Sequence, residues 1–248
     1  MKFLAFSDMH YSDVNLDGER NRPMSLEKVK RALSEHLDEC DFVVNFGDTA
    51  DLFAEGKQQT LLWEETADVL KSCGKKYYCL IGNHDTSTDK NTWVEIMGMP
   101  ARYYSFQYDS YKILVLDPNQ NDEKNPLPDK EIKWAYCYID DEQFEWIKRE
   151  IETAENDVII FTHELLILGD RDNDDDHVIR NREKVIDLIE NSDKVKAVFS
   201  GHYHYGDRVF HNGIDYVTFR SICLNDDYAH YVVTIDDNGI DVKEYGIK

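Results

Sequence analysis

The sequence predicts a layered α/β fold, and three observations carry that prediction. Apolar runs rich in Val, Ile, Phe and Tyr alternate with stretches of helical periodicity. Short blocks bearing Asp, Asn or His close five of those runs. Three pairs of alternating apolar segments flank turn residues, the pattern of antiparallel hairpins.

Lys2–Phe6 reads as a buried strand that stops at Asp8-Met-His10. A helix follows over Ser25–Asp38, then a strand over Phe42–Phe46 that ends in Gly47-Asp48. The next helix spans Gln58–Ser72, with Gly74 as its stop. Lys76–Ile81 is the third strand and runs into Gly82-Asn83-His84-Asp85. Arg102–Tyr108 and Lys112–Leu116 form a hairpin around Asp109. Pro118–Tyr138 lacks periodicity and reads as a surface loop or lid. Within it Trp134, Tyr136 and Tyr138 alternate, as in an edge strand or an aromatic wall.

The clearest helix is Asp141–Ala154, where Phe144, Ile147, Ile151 and Ala154 share a face and Asp140 with Gln143 resembles a capping box. Val158–Phe161 leads to Thr162-His163, and Lys196–Phe199 leads to Gly201-His202-Tyr-His204. A helix over Arg180–Ile189 separates these two strands. Asp207–Phe210 with Asp215–Arg220, and Tyr231–Ile235 with Ile240–Glu244, complete the hairpins. No repeat, linker or composition break divides the chain, so residues 1–248 are expected to form a single domain.

The five blocks offer seven metal ligands: Asp8, His10, Asp48, Asn83, His163, His202 and His204. One carboxylate and a few imidazoles per metal suit borderline divalent ions such as Mn, Fe or Zn. Seven ligands exceed one tetrahedral site and suit two metals with a shared bridge. In layered α/β folds such residues gather beyond the carboxyl ends of strands, here expected on one edge of one sheet. The reading is a two-metal hydrolase acting on a phosphoester. Glycines 47, 82 and 201 would let the backbone turn sharply and approach the ions.

Charge narrows the substrate. The net charge of −22 repels long polyanions, so nucleic acid and anionic membranes are poor partners. A small phosphate ester can still enter, because two cations reverse the local field. Five scattered cysteines without a Cys-x-x-Cys pair argue against a disulfide framework and fit a reducing compartment. No run reaches the ~18 apolar residues of a membrane span. The expected location is therefore cytoplasmic. Oligomeric state is not legible.

Taken together, the blocks resemble those of the calcineurin-like metallophosphoesterase superfamily, with most similarity to its class III cyclic-nucleotide phosphodiesterase-like members. The resemblance runs from Phe3 to about Ile235 and includes Leu116-Asp117 and the helix opening Asp141-Glu-Gln-Phe-Glu-Trp-Ile147. It implies two mixed β-sheets packed as a sandwich flanked by α-helices. It also implies that Asp8, His10, Asp48 and His204 hold one metal, and that Asp48 bridges to a second held by Asn83, His163 and His202. A hydroxide between the metals would attack phosphorus in line. His84, outside the ligand pattern, would be the general acid, oriented by Asp51, with Asp85 as rival partner.

The resemblance departs in the loops. Thr162-His-Glu-Leu165 lacks the His-Pro continuation of many relatives. Asp85 after His84, and Leu52-Phe-Ala after Asp51, differ from the Ser/Thr protein phosphatases. Arg20, Arg22 and Arg220 could reach a second phosphate, although a surface position is the default for each. The acidic run Asp170–Asp176 lacks EF-hand spacing and reads as a solvated loop. His177, His211 and His230 fit no motif and read as structural or exposed. The expected function is hydrolysis of a small phosphodiester or phosphomonoester, possible nucleotides included. The alternatives are a pyrophosphate-cleaving hydrolase of nucleoside diphosphate conjugates and a non-catalytic metal-binding interaction module.

Overall fold

The computed structural model describes residues 1–16, 18–120, 137–169, 176–225 and 227–247. Among them are the strands β1 (Lys2–Phe6), β2 (Phe42–Asn45), β3 (Lys76–Cys79), β4 (Tyr104–Tyr108), β5 (Tyr111–Val115) and β6 (Asp157–Phe161). β7 (Val195–Ser200), β8 (Tyr205–His211), β9 (Ile214–Arg220), β10 (His230–Asp236) and β11 (Gly239–Tyr245) follow. Two mixed sheets result, in the orders β11-β10-β1-β2-β3 and β4-β5-β6-β7-β9-β8. The strands β1, β2 and β3 run parallel, as do β5, β6, β7 and β9, and antiparallel partners complete each sheet.

Side-chain alternation explains the layering. In β6, Ile159 and Phe161 face the core between the sheets, whereas Val158 and Ile160 join a second cluster. That second cluster also takes Ile147 and Ile151 of α4 (Asp141–Glu152) and Val185 and Ile189 of α5 (Arg182–Glu190). Strands covered on both faces read as unbroken apolar runs, which is why the sequence shows them so plainly. Between the sheets Phe3 stacks on Phe42 at 5.4 Å and meets Phe199 edge-on at 5.6 Å. Burying each such ring contributes roughly 1.5–3 kcal/mol. The helices α1 (Ser25–His36) and α2 (Gln59–Ser72) add Val29 and Trp63 to the same cluster.

Several boundaries differ from the sequence reading. The helix α3 (Lys90–Met97) has no counterpart there. It is eight residues long, too short for a convincing periodicity, yet Asp89 caps Thr92 N and Gly98 ends it at φ 70°. Helix α1 tightens into a 3₁₀ turn over Leu37–Glu39, and α5 starts two residues late because Arg180 N donates to Cys137 O. The Asp140 cap is present, accepting from Gln143 N at 2.7 Å. Gln143 does not complete a capping box. Its amide instead exchanges two 2.8 Å hydrogen bonds with the backbone of Asp117.

Residues 121–136, with Trp134 and Tyr136, and residues 170–175 of the acidic run lie outside the described residues. Tyr138 makes an isolated bridge to Asn119. Among the described residues no helix is long and apolar enough to cross a membrane.

Candidate metal centre

The candidate ligands come from both sheets, not from one edge of one sheet. Asp8, Asp48 and Asn83 follow β1, β2 and β3, whereas His163 and His202 follow β6 and β7. The two sheets present their carboxyl ends to the same place, and hydrogen bonds join the loops. Asp8 N donates to Gly47 O at 3.1 Å and His10 N to Asp48 O at 2.8 Å. His163 Nδ1 meets Phe46 O at 2.6 Å, and Gly201 N donates to His163 O at 3.0 Å.

Each of the two central carboxylates is held by one oxygen and aimed with the other. Asp8 Oδ2 accepts from Ser7 Oγ at 2.5 Å and from His202 N at 3.0 Å. Its Oδ1 faces His204 Nε2 at 3.4 Å and His10 Nε2 at 3.8 Å. Asp48 Oδ1 accepts from His84 N at 2.8 Å. Its Oδ2 faces His163 Nε2 at 3.3 Å and His10 Nε2 at 3.6 Å. Asp48 therefore lies between the two halves of the ligand set.

The backbone is strained there. Asp8, His10, Asp48 and His202 have φ of 53°, 45°, 51° and 65°, in the left-handed region that side chains avoid. Such residues cost on the order of 1–3 kcal/mol each and persist where surrounding structure over-determines them. Two glycines matter for close approach. A Cβ on Gly82 would collide with Asp48 N and Oδ1, and one on Gly201 would collide with Ser7 Oγ. Neither has a positive φ, so both are packing requirements; of the three motif glycines only Gly47 turns with φ 100°.

The donor set fits divalent cations. Asp8 Oδ1, Asn83 Oδ1 and His163 Nε2 are buried without a hydrogen-bond partner. Leaving such atoms unsatisfied costs about 1–3 kcal/mol each, and cations would satisfy all of them. Asp8, His10 and His204 form one cluster and Asp48, His163 and His202 another, with ligand atoms within 4.8 Å in each. His10 Nε2 and His204 Nε2 approach to 3.0 Å, a spacing natural for two nitrogens on one ion.

The charges agree. Burial pushes the carboxyls of Asp8 and Asp48 up, but the surrounding imidazoles outweigh it and hold both below the usual carboxylate range. Burial would keep His163 neutral, yet the charge of Asp48 raises its pKa well above the usual value, so a cation binding there displaces a proton from the ring. His10 is shifted by burial to about 4, against the pull of Asp51, so its ring is neutral and able to ligate.

Asp51 is the hinge of a second layer. Its Oδ1 accepts from His10 Nδ1 at 2.8 Å and from His84 Nδ1 at 2.6 Å, while Oδ2 takes Arg22 Nε at 2.6 Å. Burial opposes its charge, but the two imidazoles hold its pKa far below normal. Asp85 is not the partner of His84. It is buried and binds Thr49 N, Gly82 N and Trp63 Nε1 at 3.0–3.2 Å. Burial and the charge of Asp48 raise it to about 7. For His84, burial favours the neutral ring, but Asp48 and Asp51 prevail and raise its pKa to about 9.

A cavity of about 520 Å³ opens beside His84, Asn83 and His204, with Arg20, Tyr203 and Tyr205 on its walls. His177, which fits no motif, lines it too, 5.2 Å from the ring of His202. Arg20 borders the site, as its sequence position allows. Arg22 is 4% exposed and bound to Asp51, contrary to the surface default. Arg220 turns to Asp227 and Glu244 instead.

The sequence reading missed Ser7 and Glu164, and it placed Arg22 by default at the surface. Glu164 is buried beside His163, accepts from Asn119 Nδ2 at 3.3 Å, and burial raises it to about 7. A charged residue inside an apolar run was its only signal.

Comparison with known proteins agrees with this architecture. A family model described as calcineurin-like phosphoesterase matches residues 1–206. A Psychrobacter arcticus protein named "Probable cyclic nucleotide phosphodiesterase" is 20% identical over 205 residues, 79% of this chain and 67% of its own. A Danio rerio protein named serine/threonine-protein phosphatase CPPED1 is 33% identical over 99 residues, spanning 38% of this chain and 32% of its own. The crystal structure of a dimetal phosphatase from Danio rerio superposes with a TM-score of 0.81 at 15% identity, covering 99% of this chain and 96% of that one. That likeness is one of fold.

Proposed function

The chain belongs to the calcineurin-like phosphoesterase family, and from that membership we propose that it hydrolyses a small phosphodiester or phosphomonoester at a two-cation centre. Asp8, His10, Asp48 and His204 would hold one divalent ion, and Asp48, Asn83, His163 and His202 the other. When bound, the ions supply Lewis acidity, ionising water and neutralising phosphate oxygens. The names borne by relatives, a cyclic nucleotide phosphodiesterase and a dimetal phosphatase, support the reading. Manganese, iron and zinc all suit the ligands, and availability decides among them.

The single observation that carries a catalytic rather than a binding role is the bond from His84 Nδ1 to Asp51 Oδ1 at 2.6 Å. It fixes the ring and leaves Nε2 for the substrate. Against burial, Asp48 and Asp51 raise the pKa of His84 to about 9, which favours the protonated ring. The contribution of Asp48 is compensated when cations bind; that of Asp51 remains. His84 Nε2 then donates its proton to the departing oxygen. Asp51 orients the ring and stays ionised throughout.

Substrate size follows from the cavity. About 520 Å³ accommodates a nucleotide-sized ester, and Tyr203 and Tyr205 offer rings to a base. The net charge of −22 opposes nucleic acid and anionic membranes as partners. Arg20 on the cavity wall favours a second reading, cleavage of a pyrophosphate, because a guanidinium suits a second phosphate.

A release assay with manganese-loaded protein separates the readings. The panel is a cyclic nucleotide, a nucleoside monophosphate, a nucleoside diphosphate conjugate and a phosphoserine peptide. Turnover of either of the first two supports the proposal. Conjugate cleavage alone transfers it to the pyrophosphate reading, and peptide turnover alone to a protein phosphatase. Retained metal with no turnover anywhere overturns catalysis and leaves an interaction module.

A further inference from the structure

A second group of donors lies on the other face of the first sheet, where the end of α1 meets β10 and β11. His230 is fully buried there. Its Nδ1 meets Tyr228 O at 2.8 Å, and its Nε2 has no hydrogen-bond partner. That nitrogen points to Glu35 Oε2 at 3.9 Å, too far for a hydrogen bond. The other oxygen of Glu35 is already engaged, accepting from Arg31 Nε at 2.9 Å and from Tyr228 OH at 3.4 Å. His36 pairs its Nδ1 with Glu39 Oε1 at 2.7 Å, leaving Nε2 as the nitrogen an ion would take.

We infer that Glu35, His36 and His230 form a further metal site, for a first-row divalent ion such as zinc, which ties the end of α1 to the β10–β11 hairpin. The donor atoms of the three lie within 4.8 Å of one another. Zinc–nitrogen bonds of about 2.0–2.1 Å put tetrahedral ligands about 3.3 Å apart. Glu35 is the exposed member, so its side chain is the one that would move to close the difference. The second-nitrogen contacts of both imidazoles, to a carbonyl and to a carboxylate, are the arrangement that orients metal-binding histidines. Two imidazoles and one carboxylate select zinc or its neighbours over magnesium or calcium.

The rings are confined as well. Tyr245 packs at 4.1 Å from His36 and 5.6 Å from His230, and Tyr228 stacks on His230 at 5.3 Å. These rings fix the orientation of the His230 imidazole and so the direction of its Nε2. The site shares no residue with the centre beyond the strand ends, so its role is structural.

Equilibrium dialysis of the whole protein against zinc tests this, comparing wild type with Glu35→Gln and His36→Gln. Glu35 is exposed, whereas His36 is half-buried against Tyr245, so far-ultraviolet circular dichroism of each metal-free variant is compared with that of wild type. Each variant is expected to hold about one zinc fewer per chain than wild type. Zinc should also raise the melting temperature of wild type more than that of either variant. The difference is read whatever number of ions the other centre takes. Equal zinc content in wild type and variants overturns the inference.

Discussion

His10 and His84 share a single carboxylate oxygen: the Nδ1 of each meets Asp51 Oδ1, at 2.8 and 2.6 Å. Their rings stand nearly perpendicular with centroids 4.4 Å apart. One buried carboxylate thus orients both a candidate metal ligand and the candidate acid. The arrangement couples metal affinity to proton donation, and it makes Asp51 and His84 separable by experiment.

His84→Ala should keep its metals and lose turnover by about 10²–10⁴-fold on esters with alkoxide leaving groups. The loss should shrink on p-nitrophenyl esters, whose leaving group needs no proton. Steady-state rates across a leaving-group series check this. An equal loss along the whole series removes His84 from the acid role.

Asp51→Asn should fail on both counts. Metal affinity should drop by about 10–100-fold, because Nδ1 of His10 loses its anionic partner. Turnover at saturating manganese should remain depressed, because His84 loses the same partner. Titration of the chelator-treated variant with manganese, followed by rate measurements, separates the two effects. Full recovery at high manganese would assign Asp51 to the metal alone.

Gly82→Ala should disrupt the centre without touching a ligand. The added methyl would overlap the Asp48 backbone and carboxylate, and neither can retreat inside the buried loop. Overpacking of this kind costs about 1–3 kcal/mol or more. Loss of manganese stoichiometry, with far-ultraviolet circular dichroism retained, is the expected signature. Normal metal content would show that the loop yields.

Gln143→Ala tests the fold away from the chemistry. Both backbone groups of Asp117 would be buried without partners, at about 1–3 kcal/mol each. Urea denaturation should report a loss of about 2–4 kcal/mol. A loss below about 0.5 kcal/mol, the range of surface substitutions, would mean that water replaces the amide.

Much of this molecule was legible because the informative residues carry local signals. Each ligand block closes an apolar run, and the run declares the strand that delivers it. Asp51 was legible as a partner of His84 through family resemblance, but its bond to His10 depends on two loops pairing across 41 residues. The burial of Arg22 has the same origin: a charged residue in a polar loop reads as exposed until its carboxylate partner is located. The convergence of ligands from two sheets was hidden because strand order is set by non-local pairing. Thus β1 neighbours β10 and β2, and β7 neighbours β9. Gln143 was read by its spacing from Asp140, yet its amide serves Asp117, 26 residues away.

The most direct test of the two-cation centre is a manganese titration of the chelator-treated protein, with hydrolysis of bis(p-nitrophenyl) phosphate as the readout. Chelation should abolish turnover, and activity should return and level off at about two manganese ions per chain. Turnover that survives chelation, or that levels off at a single ion, would contradict the account.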